Sequence, residues 1–187
     1  MRARSFIISG PPAVGKSTVA EAIGRRFGLK VYAGGEALKE VAARRGYTPK
    51  GVEWWDTPEG LRFLAERAAN PEYDKEVDSR LIEMLKQGNV VVTSYTLPWL
   101  TDLGIKIWLN ASFESRARRM VERDKIRYEE ALSIVKKRDE ENKELYQKIY
   151  GIEFGKDLSV FDLVLNTEYL NKDAVIEVVE AFVKQFV

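Results

Sequence analysis

The amino-acid sequence predicts an α/β fold, a parallel sheet covered by helices on both faces, and three observations carry that prediction. Short apolar runs alternate with helical patterns along the whole chain, as right-handed strand–helix–strand crossovers require. The run Asn89-Val90-Val91-Val92-Thr93 is β-branched and apolar throughout, as a central parallel strand buried on both faces is. Between the first apolar run and the first helical pattern stands Gly10-Pro11-Pro12-Ala13-Val14-Gly15-Lys16-Ser17, which fits G-x-x-x-x-G-K-[ST] at every fixed position.

Each element has its own signal. Phe6-Ile7-Ile8 reads as a buried strand, and Val19, Ile23 and Phe27 recur at helical spacing before Gly28 ends that helix. Lys30-Val31-Tyr32 is a short second strand. Ala33-Gly34-Gly35-Glu36 reads as a turn, with Ala37, Leu38, Val41 and Ala42 on one face of the helix beyond it, stopped by Gly46. Thr57-Pro58-Glu59 starts another helix, Thr as N-cap and Pro at the first helical position. Its apolar stripe reads as Leu61, Leu64, Ala65 and Ala68. Asn70-Pro71 opens a further helix carrying Val77, Leu81, Met84 and Leu85, ending near Gly88. Ile105, Ile107 and Leu109 mark the fourth strand. A charged helical region follows from Ser112 to Ile149, broken near Asp124-Lys125. Val160 to Leu165 reads as the fifth strand, and Asn171 opens a last helix with Val175, Val178, Val179 and Phe182 inward.

Strand, glycine loop and helix in register make the motif a P-loop, and its chemistry explains its residue types. Gly10 and Gly15 can take positive φ, so the backbone of Gly10-Pro11-Pro12-Ala13-Val14-Gly15 can wrap around phosphate oxygens, with the N–H groups of the loop converging on them. The N-terminal end of the helix adds its dipole. Lys16 is expected at the β/γ-phosphates of ATP, the Ser17 hydroxyl on Mg²⁺, and Thr18 as a further phosphate contact. Ligands of such sheets sit beyond the carboxyl ends of the strands, which selects the loops at 9–17, 33–40, 93–102 and 166–170.

At 187 residues and net charge +1 the chain is one domain with no global field favouring nucleic acid or anionic membrane. It has no cysteine and no histidine, which excludes disulfides, thiolate nucleophiles, Cys/His zinc sites and histidine acid–base catalysis. Lysine, arginine, carboxylates and hydroxyls remain, a set suited to phosphoryl transfer, where positioning and charge stabilisation dominate. The apolar run after Met1-Arg2-Ala3-Arg4 is too short for a signal peptide, and no stretch approaches a membrane span. The expectation is a soluble cytoplasmic protein, monomeric or weakly dimeric. The helical segments at 34–87 and 112–150 exceed what crossovers need and read as lobes able to close over a small-molecule acceptor.

The P-loop, Ala33-Gly34-Gly35-Glu36-Ala37-Leu38-Lys39-Glu40, the stretch from Glu76-Val77-Asp78-Ser79-Arg80 to Val92, Ile105-Lys106-Ile107-Trp108-Leu109, the arginine-rich helix, Leu145-Tyr146 with Ile149-Tyr150-Gly151-Ile152, and Asp162 to Thr167 follow in an order that resembles archaeal cytidylate kinases, of the nucleoside monophosphate kinase group of P-loop proteins. The resemblance spans nearly the whole chain. It implies a three-layer α/β/α sandwich with a five-stranded parallel sheet in order 2-3-1-4-5. It also implies an acceptor lobe within 34–87, centred on 34–70, and a lid over 123–155. The implied reaction is ATP plus CMP or dCMP giving ADP and the diphosphate, with Mg²⁺. It places Arg119 at the lid base near the ATP base and phosphates, Arg123 and Arg138 in the lid at the transferring group, and Asn166 and Thr167 at the adenine site. Gly35, Glu36, Lys39, Asp78, Arg80, Ser94, Tyr95 and Trp99 fall on the acceptor side.

The chain departs from the family's pattern on that acceptor side. Lys39 stands where an acceptor-gripping arginine is usual, and it lacks the bidentate fork. Thr93-Ser94-Tyr95-Thr96-Leu97-Pro98-Trp99 carries no cation where the family reads E-G-R, and Leu145 replaces a lid arginine. Arg44, Arg45, Arg62 and Arg80 are candidates to compensate. No Asp closes the third strand, which leaves Mg²⁺ to Ser17, phosphates and water. Arg116 and Arg118 read as a solvated face paired with Glu114, Glu122 and Asp124, and the run from Lys136 to Glu144, apart from Arg138, as a solvated helix. Trp54, Trp55 and Trp99 read as lobe core or as walls of a more apolar acceptor pocket. Two alternatives stay open beside a CMP kinase: a kinase for another acceptor, and a non-catalytic ATP-binding sensor.

Overall fold

The computed structural model describes residues 4–51 and 53–187. Five strands, β1 (Ser5–Ser9), β2 (Lys30–Ala33), β3 (Val90–Thr93), β4 (Ile105–Asn110) and β5 (Leu163–Asn166), form one parallel sheet in order β2-β3-β1-β4-β5. Among the described residues, eight α-helices flank it: α1 (Lys16–Phe27), α2 (Gly34–Arg44), α3 (Pro58–Ala69), α4 (Glu72–Gln87), the single turn α5 (Leu97–Leu100), α6 (Phe113–Asp124), α7 (Tyr128–Tyr150) and α8 (Lys172–Val183), with a short 3-10 turn at Glu53–Asp56. Successive β1 side chains point to opposite faces, so each face has its own core. Phe6 and Ile8 pack with Val19 and Ile23 of α1 and Val175, Val179 and Val183 of α8. Ile7 packs on the other side with Val90, Val92 and the helices α2 to α4.

The helix starts at Thr57, Ser112 and Asn171 carry side-chain caps, whereas α4 starts behind Pro71 with none. Thr57 accepts from Gly60 N at 3.1 Å, Ser112 from Ser115 N at 3.1 Å and Asn171 from Ala174 N at 2.9 Å, each satisfying one orphan donor of a first turn. Lys125, left-handed at φ 58, makes the break between α6 and α7.

Four sequence expectations need correction. The stretch at 33–36 is no turn: α2 begins at Gly34 directly after β2, and a Cβ at Gly34 would stand 2.8 Å from Thr93 O, so glycine lets the helix start against β3. The inward face of α3 is Gly60 and Phe63 with half-buried Arg67, whereas Leu61, Ala65 and Ala68 are exposed. The apolar count misplaced the stripe because an arginine occupies it. β5 starts at Leu163: Val160 and Phe161 lie in a turn, and the Phe161 ring packs instead on Trp99 (5.2 Å) and Trp108 (5.2 Å). On α8 the buried line is Val175, Val179 and Val183, which leaves Val178 exposed. The turn α5 was not anticipated; Ser94 Oγ accepts from Thr96 N and Leu97 N, both at 3.1 Å, and nucleates it.

Candidate active site

The loop after β1 leaves the sheet through Gly10, whose φ is 142. A Cβ there would stand 2.2 Å from Leu109 O on β4, so no other residue fits. Ala13 (φ 60) and Gly15 (φ 103) complete the curl. α1 begins behind Gly15 with no side-chain cap, as α2, α4, α5 and α7 also do, but unlike α2, α4 and α7 it has no acidic residue in its first turn. Its N–H groups and dipole are open to an anion.

Lys16 folds over this loop. Nζ donates to Gly10 O (2.8 Å) and Pro11 O (2.9 Å) and lies 4.3 Å from the centroid of the Tyr95 ring. Loss of water around the ammonium, then the nearby Arg116 charge, brings its pKa down to about 7, with Asp139 opposing. Anionic phosphate oxygens would replace the carbonyl partners. Ser17 is exposed beside it and Thr18 half-buried. The cradle fits ATP with Mg²⁺: the described residues hold no cluster of three or more Asp, Glu, His or Cys poised for a metal, so the ion would rest on the Ser17 hydroxyl, phosphate oxygens and water, donors suited to hard Mg²⁺.

Two arginines of α6 grip the same loop. Arg119 Nη1 donates to Val14 O (3.1 Å) and Thr167 Oγ1 (3.0 Å), and its Nη2 donates to Thr167 O (2.8 Å). It therefore joins the P-loop to the segment after β5. Thr167 is wholly buried and donates to Asn110 O at 2.9 Å, while Asn166 is exposed with its Oδ1 accepting from Glu168 N. Glu168 accepts from Ser112 N, Ser112 Oγ and Ser115 Oγ at the start of α6; these hydrogen bonds hold its carboxyl down at about 2.

Arg116 overturns the reading of a solvated face. It is buried, forks onto Asp139 of α7 at 2.8 Å twice, and donates from Nη1 to Pro12 O (3.0 Å) and from Nε to Ala111 O (3.2 Å). Asp139 and Asn142 are likewise buried, so α7 is not solvated through its middle; Arg118 is exposed, as expected. Arg123 is exposed and engages neighbouring Asp124 at 2.6 and 2.7 Å. Burial holds the Tyr95 phenol above its usual range, and the charge of Arg138 on α7 opposes this.

On the acceptor side the structure separates residues that the sequence grouped. Lys39 is buried and donates to Glu36 (2.9 Å) and Gly51 O (2.8 Å), while Gly35 and Glu36 are exposed. Arg80 is exposed and pairs with Glu40; Arg44 pairs with Glu76, and Arg45 lies over the Tyr73 ring at 3.8 Å. Trp54 is buried among Tyr47, Trp55 and Phe63. Trp99 packs on Trp108 (6.0 Å), Phe154 (5.9 Å) and Phe161, and its indole N–H donates to Asp157 O at 3.1 Å. Trp54 is core, Trp99 is half-buried against an aromatic cluster, and Ser94 is spent on α5.

Tyr95 and Asp78 remain, both against α7: the Tyr95 ring lies 6.0 Å from that of Tyr146, and Asp78 meets Tyr150. Asp78 is buried and accepts from Thr96 Oγ1 (2.7 Å) and Tyr150 Oη (2.6 Å), and desolvation lifts its pKa to about 6 against those hydrogen bonds. One turn along α7, Tyr146 Oη accepts from Arg67 (3.1 Å), which forks onto Asp74 at 2.6 and 2.8 Å. Arg67, Asp74, Tyr146 and Tyr150 escaped the sequence reading as a set. Their signals were present: Arg67 is four residues from Phe63 on one helical face, and the tyrosines are spaced i,i+4.

The sequence profile of the cytidylate kinase-like family matches residues 7–169, from β1 through the loop beyond β5. The chain belongs to the cytidylate kinase-like family. Among similar relatives, a cytidylate kinase of Pyrobaculum islandicum is 40% identical over 88% of this chain and 84% of its own length. One from Sulfurisphaera tokodaii is 33% identical over 95% of this chain and 93% of its own. Among solved structures, a shikimate kinase from Bacteroides thetaiotaomicron (TM-score 0.61, 12% identity) covers 97% of this chain and 98% of its own. A gluconokinase from Sinorhizobium meliloti (TM-score 0.57, 15% identity) covers 99% and 94%. At those identities the likeness is one of fold. As a member of the family the chain is a phosphotransferase of the P-loop kinase type. Among the described residues, no helix is long and apolar enough to cross a membrane.

Proposed function

We propose that this chain transfers the γ-phosphoryl group of ATP to the phosphate of CMP or dCMP. The observation that carries the reading is the meeting of Lys16 with the acceptor loop. Nζ stands 4.3 Å from the Tyr95 ring, so a triphosphate in the P-loop would end facing Tyr95, beside Tyr146 of α7. An oxygen of the acceptor phosphate forms the new bond to the γ-phosphorus, the bond to the bridging β–γ oxygen breaks, and ADP leaves. Mg²⁺, when bound, would neutralise charge on the phosphates beside Ser17. The loop amides from Gly10 to Gly15 and Lys16 hold the chain of phosphates. Arg119, with Asn166 and Thr167, borders the adenosine end. Arg138 would meet charge on the transferring group, and Arg123 would join it from the α6–α7 region (the lid, 123–155). Asp78 would read the amino edge of cytosine, with Gly35, Glu36, Lys39, Arg80, Ser94 and Trp99 shaping or supporting the acceptor lobe within 34–87. Arg67 is a second cation on this side, half-buried and forked onto Asp74 beside Tyr146, much as Lys39 is held by Glu36 and Gly51 O.

A panel of nucleoside monophosphates with ATP and Mg²⁺ tests this, read by ADP formation. CMP or dCMP is expected to lead, and Lys16→Ala to lose about 10³-fold in kcat, the scale of removing one charge from a transferring phosphoryl group. Background ADP formation with every monophosphate would remove the CMP assignment. A second reading, a kinase for an acceptor without a phosphate, is favoured by the cation-free loop at 94–99 and by the engagement of Lys39. The same panel extended to nucleosides and small alcohols separates the two.

A further inference from the structure

Four carbonyls of the P-loop are tied back by three side chains. Lys16 takes Gly10 O and Pro11 O, Arg116 takes Pro12 O, and Arg119 takes Val14 O. A peptide unit is planar and trans, so fixing one residue's C=O fixes the opposite direction of the next residue's N–H. The tethers on Gly10 and Pro11 aim no donor, because Pro11 and Pro12 have no N–H. Those on Pro12 and Val14 aim the N–H groups of Ala13 and Gly15. Arg119 has been placed at the donor nucleotide. Arg116 has no such duty: it is buried, and its fork is filled by Asp139 from the middle of α7 at 2.8 Å on both oxygens.

We propose that Asp139, acting through Arg116, is a positioning pair that aims the Ala13 N–H at the donor phosphates and makes affinity for ATP depend on where α7 lies. The same guanidinium nitrogen, Nη1, serves both Pro12 O and Asp139 Oδ1, so the lid helix and the nucleotide cradle share one atom. A shift of α7 that withdraws the carboxylate leaves Arg116 buried without its counter-charge, and it must reorient, releasing Pro12 O. The coupling is reciprocal: ATP held by the loop favours the placement of α7 that keeps the fork closed. The proposal rests on the ATP-dependent reading above, and binding is therefore measured apart from turnover.

The test uses the full chain and its Asp139→Asn variant, titrated calorimetrically with ATP–Mg²⁺ and assayed with the best acceptor of the panel. The expected result is a tenfold or greater loss of ATP affinity, a matching rise in KM for ATP, and less than a twofold change in KM for the acceptor. A residue that only stabilises the fold would lower the melting temperature and leave this split unmoved. If D139N does not fold, Asp139→Glu replaces it; the displaced carboxylate is expected to cost at least threefold in ATP affinity with the acceptor KM unchanged. Wild-type ATP affinity in the folded variant, or equal weakening of both substrates, would overturn the proposal. ATP binding by the wild type without turnover of any acceptor would instead sink the kinase reading and leave the positioning pair standing.

Discussion

Replacing Asp78 by asparagine is expected to make the protein more stable and a poorer enzyme. The carboxyl is buried on α4 against Thr96 and Tyr150 of α7, and it titrates at about 6 against an ordinary 3.8. The folded state therefore holds this proton more tightly than the unfolded chain. At about 1.36 kcal/mol per tenfold change, the ionised side chain opposes folding by roughly 3 kcal/mol once the pH exceeds 6. The sign is that of a raised acid: its opposition is absent below pH 3.8, grows between 3.8 and 6, and is complete above. Asparagine carries no charge, keeps an acceptor for Thr96, and weakens the bond from Tyr150 by about 1 kcal/mol. The net gain at pH 7.5 is then about 2 kcal/mol. Urea unfolding of the wild type and D78N between pH 4 and 7.5 measures it, and the difference between the curves removes groups common to both, Glu168 among them. The variant's advantage is expected to shrink as pH falls through 6 to 4. If D78N were the less stable protein by an amount independent of pH, Asp78 would be a favourable buried anion and the argument would fail. The KM for the acceptor should rise in the same variant, since the charge is retained against its cost to stability.

Two further perturbations probe the scaffold. Gly10→Ala places a Cβ 2.2 Å from the carbonyl oxygen of Leu109, on a strand that cannot retreat, at a φ of 142 that only glycine adopts readily. It is expected to cost several kcal/mol and abolish ATP binding, read by thermal melting with and without nucleotide; a stable variant that still binds ATP would contradict the close approach. Phe63→Ala removes a wholly buried ring stacked 5.7 Å from Tyr73 and packed at 5.7 Å on Trp54. It should destabilise by about 3–5 kcal/mol, with the near-ultraviolet signal of the tryptophans altered. A loss below about 1 kcal/mol would mean the aromatic cluster is not a packed core.

The chain's alternation of apolar runs and helical patterns determined by itself that the sheet is parallel, where β1 hands over to the P-loop, and where Thr57, Ser112 and Asn171 begin helices. Those features depend on neighbours in sequence: a side chain and the backbone within a turn of it, or the two faces of one strand. The candidate site was legible to the same extent. The nest around Lys16 could be read because one continuous segment forms it. What the tertiary structure decided are the partnerships between distant segments: Arg116 with Asp139 and Pro12, Arg67 with Asp74 and Tyr146, Asp78 with Thr96 and Tyr150, Trp99 with Trp108 and Phe161. A charge pattern along one helix cannot reveal that a carboxylate on another closes the fork of an arginine, and this is why Arg116 read as solvated and is buried. Burial of a polar group depends on partners arriving from elsewhere in the chain, and only the folded molecule brings them together.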